Sequence, residues 1–136
     1  MRAVLDTNIL VSALITPAGK PAAIYNAWEN GKFTLLICTA QLVELRATLS
    51  KPRVASLIKP HNAGRLVNQI KRLAIDLGPL PRVQRSPDPT DDFLLAMAEA
   101  GKADYLVTGD KSGLLELRCH KTTRIISATA FAALLA

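Results

Sequence analysis

One pattern recurs along this chain and limits what it can fold into. A short, unbroken apolar run ends in a polar turn, and a helix-spaced stretch follows. Val4-Leu5 runs into Asp6-Thr7-Asn8 and then into the apolar residues 9–15. Residues 33–38 form a continuous run, and Thr39 is expected to cap the helix behind it. Tyr105-Leu106-Val107 ends in Thr108-Gly109-Asp110, and Arg124-Ile125-Ile126 precedes an Ala-rich helix. A strand with one wet face alternates apolar and polar residues, so unbroken runs predict strands buried on both faces. Such strands alternating with helices predict an α/β fold, a parallel sheet with helices on both sides.

The stretches between the strands are punctuated in the same sense. Pro21 suits the first turn of a helix that closes near Asn30-Gly31. Leu42, Leu45 and Leu49 stripe a helix from residue 40 to about residue 50, which Lys51-Pro52 stops. Residues 53–78 read as a short helix and a longer one striped by Leu66, Ile70 and Leu73. Residues 80–84 are expected as a short edge strand beside Pro79 and Pro81. The segment from Ser86 to Asp92 is a loop feeding a helix that runs to about Ala100 and stops at Gly101. No repeat, linker or low-complexity tract interrupts the 136 residues, so residues 1–136 are expected as a single domain.

Several classes fall away. No apolar run approaches the roughly 20 residues of a membrane span, and Asp6 breaks the opening run too early for a signal peptide. Two cysteines, Cys38 and Cys119, make no disulfide framework; beside apolar runs both are expected as buried, reduced thiols. The expected setting is the cytoplasm.

Charge carries the next constraint. The chain holds 17 Lys and Arg against 11 Asp and Glu, a formal net charge of +6, which favours a polyanionic partner. Residues 46–85 hold nine basic residues and one acid, among them Arg46, Lys51 and Arg53. A face of this kind would bind a nucleic acid backbone in a salt-sensitive and sequence-blind way. Lys111, beside Asp110, can reach a phosphate or pair with an acid.

The scarce acids are more informative. In an open parallel sheet the working groups gather past the carboxyl ends of the strands. Asp6 follows the first strand and Asp110 follows the run 105–107. Asp91 and Asp92 open the helix before that run, and Glu44 lies in the second turn of the helix after residues 33–38. Carboxylates gathered this closely repel unless a cation neutralises them. An all-oxygen set without His or Cys suits Mg²⁺ or Mn²⁺. One or two such ions would turn the pocket into a phosphate site and activate a water.

Taken one at a time, the same acids have plainer readings. Asp6-Thr7-Asn8 can simply cap a helix, and Asp91 and Asp92 suit a helix N-terminus. Glu44 falls with Gln41 and Thr48 on the polar side of its helix, and Asp110 fits a turn. Trp28, Tyr25 and Phe33 read as core or interface, and His61 and His120 as isolated residues with no partners for catalysis.

Four segments together resemble the PIN-domain ribonucleases across essentially the whole chain. They are Leu5-Asp6-Thr7-Asn8, Glu44 in its Leu-x-Glu-Leu helix, Asp88-Pro89-Thr90-Asp91-Asp92, and Val107-Thr108-Gly109-Asp110. The resemblance is closest to single-domain bacterial members that are toxins of toxin–antitoxin pairs, relatives of the VapC toxins. It implies a three-layer α/β/α sandwich around a central, mainly parallel sheet, cleavage of RNA with Mg²⁺ or Mn²⁺, a cognate antitoxin and a homodimer. Carried over by position, the family's acidic quartet falls on Asp6, Glu44, Asp92 and Asp110, with Asp91 as the alternative to Asp92. Asn8 and Thr108 fall where members support the acids by hydrogen bonds.

Other functions compete. A housekeeping RNA-processing nuclease fits the same residues as a toxin does. So does a non-catalytic RNA-binding module, although an intact quartet argues against it. A phosphatase of the haloacid dehalogenase type also places an Asp after its first strand, but it needs a second Asp where this chain has Asn8.

Overall fold

The structure, a computed structural model, describes residues 1–109 and 113–136. In chain order its elements are β1 (Arg2–Leu5), α1 (Thr7–Ile15), α2 (Lys20–Glu29), β2 (Thr34–Ile37), α3 (Thr39–Ser50), α4 (Pro52–Ala55), α5 (Pro60–Leu73) and β3 (Ile75–Asp76). A 3-10 turn (Pro89–Asp91) then leads into α6 (Asp92–Gly101), β4 (Tyr105–Thr108), α7 (Leu114–Leu117), β5 (Cys119–His120), β6 (Thr123–Ser127) and α8 (Ala128–Leu135).

The six strands form one sheet in the order β3-β2-β1-β4-β6-β5. All pairs are parallel except the β5–β6 hairpin. Successive residues of a strand point to opposite faces, and the core divides accordingly. Ala3, Leu5, Leu35, Ile37 and Val107 pack on one face with Ile9, Leu10, Ile24, Trp28, Leu45, Leu66, Ile70 and Phe131 from α1, α2, α3, α5 and α8. Val4, Leu36, Leu106 and Ile125 pack on the other with Leu94, Leu95 and Met97 of α6 and Leu114 of α7. Both faces are therefore dry, which is why the strands read as unbroken apolar runs. The result is the three-layer α/β/α arrangement. Among the described residues no helix is long and apolar enough to cross a membrane.

Several expectations are corrected. Residues 80–84 are not a strand; the edge strand is β3, pairing parallel with β2. Pro79 and Pro81 carry no amide hydrogen for a ladder, and the last sheet-like bond comes earlier, from Leu77 N–H to Ile37 O at 2.9 Å. Leu73, expected in the stripe, is 44% exposed at the end of α5. The cap of α3 is not Thr39 but Cys38, whose Sγ accepts from the Gln41 amide at 3.4 Å. Cys38 is buried as expected, but Cys119 is exposed because it sits on the outermost strand.

Gly101 is not the left-handed residue that ends α6; Lys102 is, with φ 48°. Gly101 is set instead by close packing. A Cβ there would lie 2.5 Å from Leu36 Cδ1 and 2.8 Å from Leu77 Cδ2.

Candidate active site

Asp6 stands where β1 becomes α1. Its backbone N–H still belongs to the sheet, donating to Val107 O at 2.9 Å. Its side chain already belongs to the helix, since Oδ1 accepts from the Asn8 amide at 3.1 Å as the cap of α1. The other oxygen, Oδ2, accepts from Thr108 Oγ1 at 3.0 Å. Thr108 is fully buried at the carboxyl end of β4, the neighbouring strand. Asn8 thus reaches Asp6 through its backbone, and Thr108 through its hydroxyl.

Glu44 is carried to the same end of the sheet by α3. Its Oε2 accepts from Thr7 Oγ1 at 3.0 Å, and Thr7, one residue from Asp6, is buried. The polar side of α3 is not simply solvated, as the sequence suggested. Glu44 is exposed, but Gln41 is fully buried, and its Nε2 donates to Leu5 O at 2.6 Å. That carbonyl is the last of β1, so Gln41 fixes the strand one residue before Asp6. Its Oε1 has no partner among the described residues. The reading by periodicity missed Gln41 because a buried amide at the end of a central strand interrupts an apolar pattern without announcing itself.

Asp92 is the first residue of α6, yet its carboxylate does not cap that helix. Its Oδ1 accepts from two backbone amides of the preceding loop, Ser86 at 2.7 Å and Arg85 at 3.1 Å. Asp88 caps the 3-10 turn, accepting from Thr90 N at 3.0 Å and Thr90 Oγ1 at 2.8 Å, and these bonds hold its carboxyl below the usual range. Asp91, the alternative to Asp92, ends that turn and has its own interactions. Asp110 and Lys111 lie outside the described residues.

Burial pushes the Cys38 thiol up, and the carboxylates of Asp76 and Glu44 push it the same way against the Gln41 and Ala40 amides. The carboxylates of Asp6, Glu44 and Asp92 are hard oxygen donors, the kind that fits Mg²⁺ or Mn²⁺ rather than a softer ion. Among the described residues, however, no three acidic, His or Cys side chains come together closely enough to hold an ion by themselves.

The basic residues divide between two places. Arg46 follows Glu44 by two positions, which puts it on a different side of α3. There it lines a groove of about 500 Å³ with Leu49, Ala55, Ile58 and Val67, between α3 and α5. Lys51 follows Glu44 by seven positions and is exposed at the end of α3, with exposed Arg53 on α4. His120, expected as isolated, is instead buried and bonded on both ring nitrogens.

Compared with known proteins, the chain matches the model of the PIN domain family over residues 2–112. A search of curated proteins and a search of solved structures each returned no match.

Proposed function

The chain belongs to the PIN-domain family, whose members are generally nucleases, and from that membership we propose that it is a divalent-metal-dependent endoribonuclease. The observation that carries this reading is the bond from Thr7 to Glu44. It ties a carboxylate from α3 to the residue beside Asp6, at the carboxyl end of the parallel sheet, where α/β proteins do their chemistry.

In this reading Asp6, Glu44, Asp92 and Asp110 hold one or two Mg²⁺ or Mn²⁺ ions, with Asp91 as the alternative to Asp92. When bound, such ions supply an activated water and charge stabilisation at the phosphodiester. The chain's own part is orientation. Thr108 and the Asn8 amide hold the Asp6 carboxylate, Thr7 holds Glu44, and the Arg85 and Ser86 amides hold Asp92. Lys51, Arg53 and Lys111 draw RNA to the site through its phosphates, whereas Arg46, which lines the α3–α5 groove, contributes little.

We propose further that residues 1–136 act as one PIN unit in the cytoplasm, as a homodimer, and that the enzyme is the toxin of a toxin–antitoxin pair with a cognate antitoxin as its protein partner. Housekeeping RNA processing uses the same machinery; a small reading frame encoded beside this one distinguishes the toxin role.

The test is cleavage of single-stranded RNA across a Mg²⁺ and Mn²⁺ titration by wild type and Asp6→Asn. Cleavage that needs the ion, stops with EDTA and collapses in the variant supports the reading. Undiminished cleavage by Asp6→Asn overturns it. A non-catalytic RNA-binding module is the second reading, and it rests on the exposed basic residues Lys51 and Arg53. Tight, salt-sensitive binding with no cleavage under any divalent ion would select it.

A further inference from the structure

His120 lies on β5, eight residues beyond the segment that matches the family. It is 6% exposed, and neither ring nitrogen is idle. Nε2 is 3.0 Å from Glu99 Oε1, and Nδ1 is 3.0 Å from Arg85 Nη1. A guanidinium can only donate, so Nδ1 must accept, and Nε2 carries the hydrogen given to Glu99. Arg85 Nη1 also donates to Cys119 O at 2.7 Å. The Arg85 side chain is thereby fastened to the β5 strand at two points.

The backbone of Arg85 faces the other way. Its amide and that of Ser86 both donate to Asp92 Oδ1. Asp92 and Glu99 both belong to α6, seven residues and about 10 Å apart along one face of the helix. The contacts therefore close a ring from Asp92 to the 85–86 backbone, through the Arg85 side chain to His120, and through Glu99 back to α6. Residues 79–85 carry no helix or strand that could set their register. Leu80 and Val83 press this segment against the core, but apolar contacts do not aim an amide. Arg118 and Lys121, immediately outside β5, both have positive φ, at 62° and 54°. A fold holds non-glycine residues there only where its surroundings fix them.

We propose that His120 is a positioning residue for the candidate site: clamped between Glu99 and Arg85, it fixes the Arg85–Ser86 backbone whose amides orient the Asp92 carboxylate. The proposal rests on the reading of Asp92 as an ion ligand for its consequence, and on geometry alone for the clamp. With Oδ1 taken by two amides, Oδ2 of Asp92 makes no hydrogen bond among the described residues and is left for a ligand.

The test uses the full chain, first without metal. Amide hydrogen exchange at Ser86 reports the clamp directly. It should quicken several-fold in His120→Ala and equally in Arg85→Ala, whose side chain is exposed and whose variant keeps the core intact. His120→Asn, which keeps an acceptor near the Nδ1 position, should restore slow exchange, whereas His120→Gln, which keeps only the donor toward Glu99, should not. Mn²⁺ binding, read by calorimetry, should weaken about tenfold in His120→Ala and recover in His120→Asn.

Unchanged Ser86 exchange in both His120→Ala and Arg85→Ala overturns the proposal. So does quickening spread evenly over α6, with His120→Asn no better than His120→Ala, since that is global loosening. If Asp92→Asn leaves Mn²⁺ binding intact while His120→Ala still frees Ser86, the clamp is supported and the assignment of Asp92 to the ion fails.

Discussion

Thr108 donates a 3.0 Å hydrogen bond to Asp6 across 102 residues of sequence. The two meet because β1 and β4 are adjacent and in register, with Leu5 opposite Val107. One carboxylate oxygen of Asp6 is held by this hydroxyl and the other by the Asn8 amide, so both bonds orient the carboxylate. A ligand fixed before an ion arrives loses less freedom on binding it, which is the value of supporting bonds around metal sites.

Thr108→Val keeps the shape of a fully buried side chain and removes only the hydroxyl. RNA cleavage should fall roughly 10- to 100-fold, while stability in urea changes by about 1 kcal/mol. Thr108→Ser should recover most of the rate. Full activity in Thr108→Val would mean that the Asn8 amide alone orients Asp6.

Gln41 separates two contributions at the end of β1. Its Nε2 satisfies Leu5 O, while its Oε1 is orphaned in the core. Gln41→Ala removes the bond and leaves a cavity, and should cost about 2–4 kcal/mol. Gln41→Leu loses the same bond but fills the space and removes the orphaned oxygen, so it should cost about 1 kcal/mol. Urea unfolding of both variants measures the difference; equal losses would show that the bond to the Leu5 carbonyl, not packing, sets the value of the residue.

The two thiols give a check on burial. Cys38 is buried with its thiol pushed up in pKa, and Cys119 is exposed. The thiolate is the reactive form. At pH 8 a thiol reagent should modify Cys119 promptly and Cys38 only after denaturation. Prompt labelling of two thiols in the native protein would contradict the packing at the end of β2.

What the sequence made legible follows from what burial does to it. β1, β2, β4 and β6 are covered on both faces, so they stand out as unbroken apolar runs. Their order places Asp6 and Thr108 side by side. β5 was invisible because a two-residue edge strand, Cys119–His120, has neither length nor pattern. Gln41 and His120 were misread because side-chain bonds spanning 36, 21 and 35 residues leave no periodic trace. The bonds to Asp92 come from backbone amides, which every residue type except proline offers alike.

Asp88 offers a test by pH. Its bonds from Thr90 depress the carboxyl pKa. A depressed carboxylate adds stability above its ordinary pKa and loses it as pH falls through the depressed value. Thr90→Val keeps the backbone bond and removes the hydroxyl, so the Asp88 pKa should rise toward the ordinary range in an NMR titration. The stability gap between the variant and wild type, present at neutral pH, should close in acid. An unmoved Asp88 pKa would assign the whole shift to the Thr90 amide.

The basic residues of α3 and α4 should not contribute equally to RNA binding, because the helix separates them. Lys51 lies seven positions beyond Glu44, in extended backbone just past the end of α3, whereas Arg46 lines the α3–α5 groove. Among the described residues neither they nor Arg53 form an ion pair, so all three charges are available, and only direction distinguishes them. Reversing Lys51 and Arg53 to Glu should weaken RNA binding and lower the slope of log affinity against log salt by about 1.4, since each lost single-strand phosphate contact removes about 0.7. Arg46→Glu should leave the slope within about 0.3 of wild type. With RNA saturating, the cleavage rate of each variant should match wild type, because none of these residues supports the acids. The reverse ranking, with Arg46 dominant, would move the RNA path off the Glu44 side of α3 and into the groove.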